Sequence, residues 1–329
     1  MILKKRKLFS FLTKDLEILE DYFKKFTSGL DGVLKKTVKN TLLAGGKRIR
    51  PGLFFICAKN KDFDIEYLIP AAASIEIIHT ASLIHDDIID NSLLRRGRKT
   101  IHNIYDKDTA KFVGNYLFTQ TFSLLNKYNN PEILKEMSAA AQNLVRGEFD
   151  QIKTKKELGQ GEKIYFKKIN EKTSSLFKVS CALGGMLSGS ARAEVEKMRR
   201  FGQYLGISFQ INDDLLDLDE RKISQNIGKP TGNDIRQGNI TLPIIYALRN
   251  RRFKKEMGDL FTKEEIKDKD INKLLMILPE TDAIEHARSK LNFYLGKARE
   301  IAGSLRSEQK KEGLLKVCNF FEQEVGGNK

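Results

Sequence analysis

Only six prolines interrupt 329 residues, and apolar side chains recur at intervals of three and four through most of the chain. Proline inside a helix removes a backbone hydrogen bond and clashes with the preceding turn, so its scarcity leaves long stretches free to stay helical. The one-face spacing is visible at Leu16, Leu19 and Phe23, and at Ile75, Ile78, Ser82 and Ile89. It returns at Phe118, Phe122 and Leu125, at Leu144, Val145 and Phe149, and from Phe201 to Leu218. No segment alternates apolar and polar residues as a half-buried strand would. The chain is expected to be all-α. Turn residues gather at Gly45-Gly46, Asn91 to Thr100, Asn129 to Pro131, Gly159 to Gly161 and Gln225 to Asn239, which marks the breaks between helices. No linker divides these segments, so residues 1–329 read as one domain, with a charged peripheral insertion of short helices at about 251–282.

Composition narrows the class. The chain is 40% hydrophobic and 31% charged, enough apolar material for a sizeable core. No run of eighteen apolar residues is present, and the apolar stretch near the basic N-terminus is cut short by Lys14 and Asp15. The protein is therefore expected to be cytoplasmic, without a transmembrane segment. Cys57, Cys181 and Cys318 are far apart and set among apolar residues, as buried thiols are, and their spacing fits no metal site. The net charge of +15 admits nucleic acid, anionic lipid or a phosphorylated substrate. Nucleic acid gains no support beyond the charge, since neither aromatic interleaving nor a binding motif accompanies it.

The chemistry lies in two acidic clusters. In LIHDDIIDNSLLRRG, Asp86 and Asp90 fall one helical turn apart and Asp87 lies beside Asp86 around the cylinder; apolar residues precede them, so at least one carboxylate is drawn inward. Crowded, desolvated carboxylates are costly unless cations occupy them. Hard oxygen donors without Cys or His ligands point to Mg²⁺, which shares its coordination with water and substrate phosphates. One such cluster equally describes a solvated acidic helix face. A second, FQINDDLLDLDE, repeats the arrangement at Asp213, Asp214 and Asp217. Two clusters on separate helices can together hold the metal ions that a diphosphate requires.

Cations accompany both. Lys47, Arg48 and Arg50 lie in AGGKRIRPG, Arg95 and Arg96 follow the first cluster, Lys172 and Thr173 sit in a helical stretch, and Lys229 lies in IGKPTGND beyond the second cluster. Arg offers forked donors to phosphate and Lys a point charge. The set describes a site for two diphosphates.

The blocks GGKRIRP, IEIIHTASLIHDDIIDNSLLRRGRKTIH, RGEFDQ, EKTSSLF, GISFQINDDLLD and IGKPTGNDIRQGNITLP resemble those of the trans-isoprenyl diphosphate synthases, in that family's order. The medium- and long-chain polyprenyl diphosphate synthases, of heptaprenyl and octaprenyl type, are the most similar branch. The resemblance implies a single-domain antiparallel helix bundle around a deep cavity, usually a homodimer. It implies about three Mg²⁺ ions on Asp86, Asp87, Asp90, Asp213, Asp214 and Asp217. It assigns Arg95, Lys172 and Lys229 to the allylic diphosphate, and Lys47, Arg50, His79 and Arg96 to isopentenyl diphosphate. Thr173 and Gln210 would help stabilise the carbocation. The implied reaction is ionisation, condensation and elimination, with no side-chain base required. A growing product would run beside the helix preceding Asp86, where Ala81 and Ser82 lie one turn below it; these small residues leave the path open past farnesyl length, with Ile78 or Phe118 and Phe122 closing it deeper. Peripheral membrane contact would serve product release.

Two features depart from the family's pattern: Asn115 stands where Asp is usual, and the C-terminus lacks an Arg-rich ending. Other readings are a short-chain farnesyl or geranylgeranyl synthase, the catalytic subunit of a two-component synthase, a noncatalytic partner subunit and a terpene cyclase. The intact second DDxxD and GGKRIRP disfavour the last two.

Overall fold

In the computed structural model, residues 10–219 and 231–326 are described, and they are helical apart from connections and one two-stranded hairpin. The chain forms two compact units: Met1–Gln142, Leu176–Gly202 and Arg299–Lys329 make one, and Asn143–Ser175 with Gln203–Ala298 make the other. Each is assembled from segments distant in sequence, so no single cut of the chain separates them.

The first unit begins with α1 (Thr13–Ser28), α2 (Gly32–Leu42) and α3 (Ile49–Ala58), followed by α4 (Ile65–Ile89). Asp64 caps α4, its carboxylate accepting the N–H groups of Glu66 at 3.0 Å and Tyr67 at 3.4 Å. This helix is apolar nearly all round, the signature of a helix enclosed by others. It is long and apolar enough to cross a membrane, yet most of that stretch is buried inside the unit. Asn91, in the left-handed region at φ 48°, ends its course. The hairpin pairs β1 (Leu94–Arg95) with β2 (Arg98–Lys99) and leads through α5 (Ile101–Ile104) to α6 (Lys107–Asn126). Next along the chain, α7 (Pro131–Lys153) starts in this unit and ends in the second, and α8 (Glu162–Lys172) belongs to the second. Helix α9 (Ser174–Leu187) returns almost wholly to the first, and α10 (Arg192–Asp217) starts in the first and ends in the second.

Phe23, Leu53, Phe54, Ile75, Ile78, Leu117 and Phe177 are buried in this unit. Glycine sets two of its helix contacts. A Cβ at Gly184 on α9 would come within 2.3 Å of the Phe54 carbonyl on α3, and one at Gly202 on α10 within 2.4 Å of the Phe177 carbonyl. Cys57, Cys181 and Cys318 are buried free thiols, as their apolar surroundings predict.

The second unit includes the end of α10 and the short α11 (Asn233–Arg236) and α12 (Leu242–Ala247). The charged segment forms α13 (Arg251–Phe261) and α14 (Asp268–Ile277), the short helices expected of it. On α13, Phe253, Met257 and Leu260 recur on one face and are the buried residues. Helix α15 (Ala283–Gly303) lies mostly in this unit, and α16 (Glu308–Gly326) belongs to the first.

Candidate active site

The last turn of α4 carries the first acidic cluster. Asp86 and Asp90 share a face and are half-buried, whereas Asp87, about a quarter-turn round the helix, is only 6% exposed. Arg95, on β1, donates to Asp87 Oδ1 through Nε at 2.8 Å and through Nη2 at 2.5 Å. Burial raises the Asp87 pKa, and the Arg95 guanidinium opposes that rise. The turn at Asn91, where the Ser92 N–H donates to the Asp87 carbonyl at 2.9 Å, thus returns Arg95 to the helix end that precedes it. Asn115 on α6 hydrogen-bonds the His85 ring next to the cluster.

The glycine-rich block behaves differently from a simple phosphate-binding loop. Gly45, at φ 79°, presents its carbonyl to an N–H of Arg96, and the Arg96 guanidinium lies over Gly46, where a Cβ would be 3.4 Å from it. The next basic residue is structural. Arg48 is 6% exposed and held at φ 47°; its Nε donates to Glu20 at 2.7 Å and its Nη1 to Glu76 at 2.6 Å. Burial opposes its charge, but the carboxylates of Glu76 and Glu20 outweigh that and raise its pKa.

Arg50 Nη1 lies 3.1 Å from His79 Nε2, and its guanidinium carbon stands 4.9 Å from the centre of the Phe177 ring. Arginine can only donate, so His79 Nε2 accepts and its proton is on Nδ1. Burial, followed by Arg50, Arg96, Arg48 and Arg95, pushes the His79 pKa well below its ordinary value, so the ring is neutral. Burial also lowers Arg50 to about 10, with Arg96 adding to the effect and Glu76 opposing it. Arg50, His79 and Arg96 are thereby brought together, and Lys47 is exposed three residues before Arg50. This concentration of positive charge, with Glu76 engaged by Arg48, favours an anion.

In the second unit, Asp213 is exposed, Asp214 is 2% exposed and Asp217 is half-buried at the end of α10. Tyr165 on α8 donates its hydroxyl to Asp214 Oδ2 at 2.5 Å, while Gln210 Nε2 donates to Oδ1 at 2.8 Å. Thr173 donates to Gln210 Oε1 at 2.7 Å, which fixes the orientation of that amide. Lys172 closes α8, pairs with Glu148 and reaches Gln151 Oε1 at 3.3 Å. Gly147 permits this: a Cβ there would lie 2.6 Å from the Lys172 backbone nitrogen. RGEFDQ and EKTSSLF, separate blocks in sequence, are thus one contact.

Asp234 is the carboxylate that sequence reasoning missed. Asp217 accepts the backbone N–H groups of Asn233 at 3.2 Å and Asp234 at 3.0 Å, which draws the Asp234 turn to the acidic cluster. Burial raises Asp234 well above the carboxylate range, and Asp217, Asp214 and Asp213 add to it. Asp214 rises to about 7, through burial first and Asp213 second, against the bonds from Tyr165 and Gln210. The signal in sequence was faint: one Asp in TGND, well past the DDLLD motif. Lys229 lies outside the described residues.

The donors suit Mg²⁺. Among the described residues no three metal-ligating side chains form a closed centre. Mg²⁺ takes one or two carboxylates and completes its shell with water and phosphate, and desolvated carboxylates that raise one another's pKa would be relieved by a cation. The middle Asp of each motif is turned inward onto protein donors, while Asp86, Asp90 and Asp213 remain more exposed.

For chain length, Ala81 is fully buried and Ser82 half-buried, its hydroxyl donating to the His79 carbonyl at 2.9 Å. Ile78 is buried, and the half-buried Phe118 and Phe122 stack obliquely with ring centres 6.0 Å apart.

Comparison with known proteins places the chain. The family model for polyprenyl synthetase matches residues 31–278. Heptaprenyl diphosphate synthase component 2 of Geobacillus stearothermophilus is 34% identical over 97% of this chain and 98% of its own length. Octaprenyl diphosphate synthase of Haemophilus influenzae is 31% identical, covering 83% of each chain. The crystal structure of the Staphylococcus aureus heptaprenyl diphosphate synthase gives a TM-score of 0.86 at 30% identity over 97% of this chain and 99% of that one. The protein belongs to the polyprenyl synthetase family. It is a prenyltransferase with the all-α isoprenoid synthase fold.

Proposed function

We propose that the protein condenses isopentenyl diphosphate with an allylic prenyl diphosphate, in the presence of Mg²⁺, to give an all-trans polyprenyl diphosphate of medium to long chain. The observation that carries this reading is the cluster of half-buried Arg50 and neutral His79 with the more exposed Arg96. It supplies donors to a diphosphate without a nearby carboxylate left to compete.

In this reading Lys47, Arg50, His79 and Arg96 hold the isopentenyl diphosphate. Asp86, Asp90, Asp213 and Asp217 bind the metal, with Asp87 and Asp214 alongside them; Asp87 also orients Arg95, and Asp214 orients Gln210. When bound, Mg²⁺ supplies charge neutralisation for the departing diphosphate. Arg95, Lys172 and Lys229 hold the allylic diphosphate through ionisation. The oxygens of Thr173 and Gln210 face the positive charge that develops on the allyl group, and Thr173 is aimed by its bond to Gln210. The terminal double bond of isopentenyl diphosphate attacks that carbon, and the proton leaves to the released diphosphate.

A second reading is favoured by the relatives named component 2, which match nearly the whole chain: the protein is the catalytic component of a two-part synthase. Otherwise it acts as a homodimer. We place it in the cytoplasm, with peripheral membrane contact at product release; three buried free thiols and a core-enclosed α4 support this. The test is to supply the purified chain with Mg²⁺, isopentenyl diphosphate and farnesyl or geranylgeranyl diphosphate, then size the products. Elongation by the chain alone supports self-sufficiency, and elongation only with source-cell extract supports the two-part enzyme. No elongation in either case overturns the proposal.

A further inference from the structure

A cavity of about 230 Å³ opens in the first unit between α2, α4, the β-hairpin and α5. Its α4 wall is Thr80, Leu83, Ile84 and Asp87, a face centred about a quarter-turn from His79 and Asp86 and bordering theirs at Leu83. Lys36, Arg96, Arg98 and Lys99 surround it, and its single carboxylate, Asp87, is already engaged by Arg95. Surface cations alone would amount to a solvated rim.

The wall supplies a second, independent observation. Both ring nitrogens of His102 are shielded from solvent and have no hydrogen-bond partner among the described residues, although at least one must carry a proton. A buried donor without an acceptor is costly, and an anion in this cavity would satisfy it. Beside His102 the lining turns apolar, at Leu83, Ile84 and Ile101. The volume is below the usual range for drug-sized ligands, which excludes a long prenyl tail and admits a compact one.

We propose that this cavity is a second anion site that takes a compact alkyl diphosphate, its diphosphate held by Lys36, Arg98, Lys99 and His102 and its tail on Ile84 and Ile101. Of the substrates proposed above, only isopentenyl diphosphate combines that head with so short a tail. The site reaches the condensation machinery through shared walls, since Asp87, Arg95 and Arg96 all line it. A ligand here draws Arg95 and Arg96 away from their other partners, so isopentenyl diphosphate in excess inhibits the enzyme. This effect on rate rests on the proposed function; the binding does not.

The experiment is calorimetric titration of the metal-free protein with isopentenyl diphosphate and, separately, with inorganic pyrophosphate. It uses wild type, a Lys36→Ala/His102→Ala variant and an Arg50→Ala variant, all first checked for folding by circular dichroism. Wild type is expected to bind two molecules of isopentenyl diphosphate per chain and each variant one. The Lys36→Ala/His102→Ala enzyme should keep its low-substrate rate and lose inhibition at high substrate. Pyrophosphate, lacking the tail, should bind the second site at least tenfold more weakly; equal binding overturns the apolar half of the proposal. A single site in wild type that Arg50→Ala removes overturns this inference and leaves the proposed function standing. A single site that only Lys36→Ala/His102→Ala removes overturns the assignment of isopentenyl diphosphate to Arg50 and His79, and no binding at all overturns both. If the double variant does not fold, the exposed Lys36→Glu serves in its place and is read by the same outcomes.

Discussion

Two basic residues in one block, Arg48 and Arg50, do different work. Arg48 is anchored between Glu20 and Glu76, and Glu76 is itself only 4% exposed. Truncating one member of a buried ion pair leaves the other charge uncompensated, so Arg48→Ala should cost about 3–5 kcal/mol of stability. A chemical denaturation curve checks this; a loss below about 1 kcal/mol would show that Glu76 finds solvent instead. His79 makes the opposite electrostatic case. Its folded pKa is depressed, so below its unfolded value near 6.5 the unfolded chain takes up a proton that the folded chain refuses. Its contribution is thus present above about pH 6.5 and is lost as pH falls through the region below it. Between pH 7 and 5, wild type should lose more melting temperature than His79→Gln; parallel curves for the two proteins would contradict the neutral assignment. By charge alone Arg48 and Arg50 are equivalent cations, set apart in sequence only by the family resemblance, because charge is legible in a sequence and pairing is not.

Among elements, the decisive geometry is the angular offset of successive residues on a helix. DDxxD on a helix must separate its middle Asp from the other two, and both copies turn that Asp inward onto Arg95 or Tyr165. The offset could be read from sequence, but the partners could not, since Tyr165 lies 49 residues from Asp214. Helix spacing adds its own test. Gly184 has no room for a methyl group against the Phe54 carbonyl, and a backbone atom cannot rotate away. Gly184→Ala should therefore force α3 and α9 apart at a cost of about 1–3 kcal/mol, measured by thermal unfolding. Because α3 bears Arg50, isopentenyl diphosphate affinity should fall with it. The hairpin at 94–99 was not foreseen. Its strands are two residues each, too short to show alternation, and they pair because Arg96 and Gly97, at φ 53° and 76°, make the tight turn between them.

At the scale of the whole molecule the question is how far a product can grow. The sequence pointed equally to Ala81 and Ser82, but Ala81 has no exposed surface and Ser82 does. An aromatic at 81 would overpack the core before it could obstruct a product, whereas Ser82→Phe places its ring at a position that is only half-buried. Ser82→Phe should shorten the polyprenyl product by at least one isoprene unit, with its melting temperature near that of wild type. Chromatography of the dephosphorylated products is the check, and an unchanged chain length would remove this helix face from length control. Contacts also gather the chain into two compact units built from interleaved segments.

The sequence by itself determined the helical class, the family motifs, the two acidic clusters and the basic residues that accompany them. Each of these depends on residue type and on spacing within a few turns, which the helical repeat converts directly into a face. Only the tertiary structure decided that Arg48 is structural, that His79 is neutral, that Asp234 belongs with DDLLD, and that a cavity lies behind Asp87 with the shielded ring of His102 in its wall. Those depend on desolvation and on partners distant along the chain, and neither quantity is a property of local sequence.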